Sequence, residues 1–100
     1  MATHKDLSNF PNADLAKYNH LKLKIAELKA SLTTEQANMT VPQSVTINID
    51  NLSIKLPEIP KPKKLTFANV LDFLTTVMKS APIFLPKITE IVESISHHIH

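Results

Sequence analysis

Twelve residues near the middle of the chain, VTINIDNLSIKL at 45–56, restrict the fold more than any other stretch. Val45, Ile47 and Ile49 occupy odd positions, and Leu52, Ile54 and Leu56 occupy even ones. An alternating apolar pattern therefore reverses phase at Asp50-Asn51. Alternation with a period of two marks a half-buried strand. A two-residue hairpin turn demands such a reversal: Ile49 then pairs with Leu52, Ile47 with Ile54 and Val45 with Leu56, all on one face. Asp and Asn are the non-glycine residues that best tolerate the positive φ of such turns. The alternative is a single bulged strand. A register consistent over three pairs favours the hairpin.

Helices are expected on either side. Residues 1–11 read as an extended arm ending at Pro11, after which Asn12 is placed to cap a helix with Asp14 in its first turn. Tyr18, Leu21, Ile25, Leu28, Leu32 and Met39 fall on alternating a and d heptad positions, and Glu35 interrupts at one d. The residue before a proline avoids helical geometry, so Val41-Pro42 closes a helix spanning 13–39. Pro and Lys dominate 57–65, which reads as an extended linker. Thr66 caps a helix over 66–79 with Phe67, Val70, Leu71, Leu74, Val77 and Met78 at helical spacing. Pro86 opens a last helix, 86–99, lined by Ile88, Ile91, Val92, Ile95 and Ile99. The expected fold is α+β and mostly helical: one domain with a long N-terminal helix, one β-hairpin and two C-terminal amphipathic helices.

Composition removes whole classes of chemistry. The 100 residues include no Gly, no Cys and no Trp, and all eleven cations are Lys. Without Gly there is no Gly-rich phosphate loop, nucleophile elbow or dinucleotide fingerprint. Without Arg the bidentate contacts that read phosphate and guanine are missing, and a net charge of +2 is too mild to imply nucleic acid. Thiol nucleophiles and thiolate metal sites are excluded with Cys. MATHKDLSNFPNADL contains no apolar run resembling a signal peptide, so a cytoplasmic location is expected.

Two side-chain groupings invite a chemical reading. Glu93, His97 and His100 are spaced four and three apart and would share one helical face, a metal-ligand pattern. They hang on a terminal turn, and surface histidines near a helix C-terminus are the plainer reading. His4 and His20 lie among polar residues with no nucleophile beside them to orient. No enzyme, metal or cofactor is expected. Lys22, Lys24 and Lys29 flank the heptad helix and would repel in a parallel homodimer. The acidic residues Asp72, Glu90 and Glu93 of the C-terminal helices are the expected counterpart, with an external acidic protein as the alternative. Asp72 beside the apolar face of 66–79 argues against a membrane surface.

Surface remains. A lone hairpin needs its apolar face covered and its edges paired. Val45, Ile47, Ile49, Leu52, Ile54 and Leu56 are therefore the candidate self-association residues, and Leu23 and Phe84 add apolar area beyond one core. A hairpin (VTINIDNLSIKL) ahead of an amphipathic helix (FANVLDFLTTVMK), in a small chain without catalytic motifs, resembles the small crystalline inclusion proteins of insect-pathogenic, nematode-associated bacteria. The likeness covers the middle and C-terminal portions. It implies intracellular self-assembly into protein crystals with no active site. Lys, Ile, Leu, Val, Thr, Phe, Met and His account for 59 of the 100 residues, which suits a nutritive store. The expected function is a non-catalytic, self-assembling structural or storage protein whose partner is itself. The alternative is a small adaptor, or a component of a phage-like or secretion assembly, that binds another protein through its long helix.

Overall fold

Five helices and one short 3-10 turn make up the regular structure of the computed structural model, which describes residues 12–99. In chain order these are α1 (Asn12–Ser31), α2 (Thr34–Asn38), α3 (Gln43–Lys55), α4 (Phe67–Ser80), the 3-10 turn Pro82–Phe84 and α5 (Leu85–Ile99). The expected arm at 1–11 lies outside the described residues, and so does the side-chain cap assigned to Asn12.

The α+β expectation is overturned at its centre. Residues 45–56 form no hairpin; they belong to α3 and the residue that ends it. Val45, Ile49 and Leu52 are spaced four and three apart, a helical stripe, and they are 1%, 0% and 2% exposed. Leu56 continues the stripe and packs partly buried against the same core. Ile47 and Ile54 lie about 180° around the helix from that stripe at 100° per residue. They are 53% and 77% exposed. The reversal of phase is what a period near 3.6 looks like when read two residues at a time. No described non-glycine residue has positive φ, so Asp50-Asn51 makes no hairpin turn. The polar residues adapt to the helix by local bonds: Thr46 Oγ1 donates to Pro42 O at 3.3 Å and Asn48 Nδ2 to Ser44 O at 3.1 Å.

The long helix also stops early. The expected span 13–39 breaks after Ser31, and α2 starts afresh behind a capping box at Thr33. Gln36 N–H donates to Thr33 Oγ1 at 3.1 Å, and Thr33 N–H donates to Gln36 Oε1 at 3.0 Å. Two donors orphaned at a helix start are thereby satisfied together, which favours a new start over continuation. Met39, which the heptad placed in the seam, is half exposed at the C-cap of α2.

The C-terminal helices match their expected positions within a residue or two. Thr66 caps α4, its hydroxyl accepting from Asn69 N–H at 3.3 Å. Seven residues of α4 are buried: Phe67, Val70, Leu71, Phe73, Leu74, Val77 and Met78. α4 lies against α1, α2 and α5, while α3 packs on α5. Tyr18, Leu21, Ile25 and Leu28, the a and d residues of α1, close the core from the other side. A single antiparallel bridge, Thr40 with Thr66, joins the entrance of α3 to the entrance of α4. Val41 N–H donates to Leu65 O at 2.8 Å and Phe67 N–H to Met39 O at 3.0 Å. The Pro-rich segment is tethered rather than free: Ile59 is 8% exposed and Lys61 pairs with Asp50 of α3.

Two substitutions in α3 distinguish a helix from a strand pair. Ile49→Ala is expected to cost about 2–5 kcal/mol in urea unfolding, because it opens a cavity in the core. Ile47→Ala should stay within about 0.5 kcal/mol, as an exposed position does. A hairpin would make the two costs alike.

Ser53 Oγ is buried without a hydrogen-bond partner. Ser53→Ala removes that cost and raises helix propensity. It should therefore raise stability by about 0.5–1 kcal/mol in the same measurement.

Candidate functional site

All of the fully buried residues among those described are apolar or aromatic, and none is charged. Desolvated acids, bases and nucleophiles are the usual raw material of catalysis. The charged side chains among the described residues lie outside the core. Lys29 of α1 pairs with Asp72 of α4, Lys61 with Asp50, and Lys87 with Glu90 at 3.7 Å. The first is the contact expected between the basic helix and the acidic residues of the C-terminal pair. It spans the α1–α4 seam with both side chains about half exposed.

The described histidines do not converge on one site. His20 is exposed on α1, beside a cleft of about 470 Å³ lined by Lys17, Leu21, Pro86, Thr89 and Glu90. His98 Nδ1 lies 3.1 Å from Ser94 O, one turn back on its own helix. Glu93 and His97 are exposed on α5, and His100, the third member of the expected metal face, lies outside the described residues. Among the described residues, no group of three or more His, Asp or Glu is placed to hold a metal ion. No helix among them is long and apolar enough to cross a membrane.

The six candidate self-association residues are divided by α3 into two sets. Val45, Ile49, Leu52 and Leu56 face inward and serve the core. Ile47 and Ile54 face outward, two turns apart on one side. Between them on the same exposed side lie Asp50 and Asn51, and Lys55 follows. Asp50 is held by Lys61, yet its side chain stays 46% exposed. The patch is thus a short apolar ridge with an acid on one flank and an amide and a cation on the other. Of the two other residues expected to add apolar surface, Leu23 is 61% exposed whereas Phe84 packs against the core. Ile83, which the sequence did not single out, is 81% exposed. The spacing of Val45, Ile49, Leu52 and Leu56 was the signal that separates the outward pair from the rest.

The hairpin that carried the resemblance to inclusion proteins is absent. Comparison of the chain with protein-family models, curated proteins and solved structures finds no match.

The Lys29–Asp72 pair is exposed on both sides and contributes modestly. A double-mutant cycle with Lys29→Ala and Asp72→Ala should give a coupling of about 0.2–1 kcal/mol. The coupling should shrink as salt rises toward 1 M, where the Debye length is about 3 Å.

Proposed function

We propose that this chain is a non-catalytic structural or storage protein that acts by associating with copies of itself. The single observation that carries this reading is that α3 buries one apolar stripe and leaves two isoleucines, Ile47 and Ile54, exposed on the opposite side. Isolated exposed apolar residues are normal on a protein surface, whereas Ile47 and Ile54 share one face of one helix. Leu23 on α1 and Ile83 beside α5 supply further exposed apolar points on other elements. Contacts at several distinct places can propagate into an open lattice rather than close into a ring. Ordered inclusions in the cytoplasm are the extreme form of such propagation, and a composition rich in Lys, Leu and Ile fits a store of amino acids.

Sedimentation velocity over a hundredfold concentration range, together with electron micrographs of expressing cells, provides the test. The weight-average mass should climb with concentration, and ordered particles should be visible in the cells. A chain that remains monomeric throughout overturns the reading. The adaptor function would then take its place, with the partner a different protein.

A further inference from the structure

The outward face of α3 carries a pattern that restricts which partner fits it and in which orientation. Ile47 and Ile54 form a ridge with a repeat of seven, which fills one of the two positions of a heptad seam; Asn51, four after Ile47 and three before Ile54, holds the other. Asp50 lies on one flank of this ridge, and Lys55 lies on the opposite flank. Two copies can lay their ridges together in two ways. In a parallel two-fold pair each flank meets the opposite flank of the other copy. Asp50 of one copy then faces Lys55 of the second, five residues on. That offset of five is the one at which flanking charges pair across parallel helices. In an antiparallel two-fold pair each flank meets its own duplicate, so Asp50 is set against Asp50 near the axis, and Lys55 finds no acid.

We infer that α3 is a self-complementary docking face for a second copy of this chain, joined in parallel by Ile47 to Ile47 and Ile54 to Ile54. Two reciprocal Asp50–Lys55 ion pairs flank the seam. The carboxylate of Asp50 already accepts from Lys61 through Oδ1, and its side chain is 46% exposed, which leaves Oδ2 for the second copy. The face is symmetric under the operation that builds it, as an isologous interface must be. It is also small. A helix of 13 residues is about 20 Å long. The seam it offers falls short of the roughly 1,200 Å² that stable complexes bury in total. The contact is weak alone and gains strength where other faces of the particle are engaged at the same time.

This inference rests on the self-association reading and is tested separately from it. The chain has no cysteine, so single cysteines can be introduced without background. Ile47→Cys and Ile54→Cys each place a thiol on the seam at an exposed position, leaving the other isoleucine in place. Lys79→Cys, exposed on α4, reports random collision. In the parallel pair each of the two seam variants should crosslink to itself under mild oxidation, because like residues approach within disulfide reach. The rate should exceed the control by about tenfold or more, since docked partners meet at an effective concentration in the millimolar range. If crosslinking appears only when Ile47→Cys is mixed with Ile54→Cys, the helices run antiparallel and the inference is wrong. If all rates equal the control while wild-type protein still associates by sedimentation, another face drives assembly, so α3 pairing falls and self-association stands. A wild-type chain that never associates removes both.

Discussion

Burial of α4 is the constraint on which the rest of the structure hangs. Val70, Leu71, Leu74, Val77 and Met78 are each 0% exposed, and no single neighbouring helix can cover so wide a stripe. Each fully buried side chain of this size contributes roughly 1.5–3 kcal/mol relative to exposure. In a chain of 100 residues that contribution is indispensable, because small domains bury a modest share of their surface. The remaining elements lie where they can reach α4. α1, α2 and α5 all pack on it, and the Thr40–Thr66 bridge fixes its entrance. α3 joins indirectly, by packing on α5.

Where apolar spacing admitted one interpretation, the sequence was legible. In α4 and α5 the stripes are long, and Thr66 and Pro86 mark the starts. In α1 four successive a and d residues, Tyr18, Leu21, Ile25 and Leu28, all reach the core. The middle of the chain was legible in neither boundary nor type. Val45, Thr46, Ile47 and Ile49 are strand formers by local preference. The same six apolar positions fit two strands with a turn, or one helix with two residues left over. Tertiary contact decides between them: α5 accepts a stripe of Val45, Ile49 and Leu52, and local preference yields to it. The break at Leu32 was recoverable from Thr33 and Gln36, whose spacing is that of a capping box, but the heptad continuing to Met39 masked it.

The candidate surface was half legible for the same reason. Reading 45–56 as a hairpin put all six apolar residues on one face and made that whole face available to a partner. The helix assigns four of them to the core and leaves Ile47 and Ile54 outside, so the surface is smaller and more directional. Its polar flanks could not be read from a strand pattern, because Asp50 and Asn51 were assigned to the turn. Lys61, eleven residues away from Asp50, had no local signal tying it to that acid.

The composition of α3 also bears on what happens when the chain unfolds. Within the folded molecule every backbone group of its interior is engaged in helical bonds, and its strand-forming residues are held in the wrong geometry for a ladder. Released from α5, the run Val45–Ile49 is short, uncharged, free of proline and glycine, and β-branched at four of five positions. Those are the properties of segments that stack into cross-β fibrils. The packing of α3 against α5 therefore withholds this run from cross-β stacking for as long as the chain stays folded.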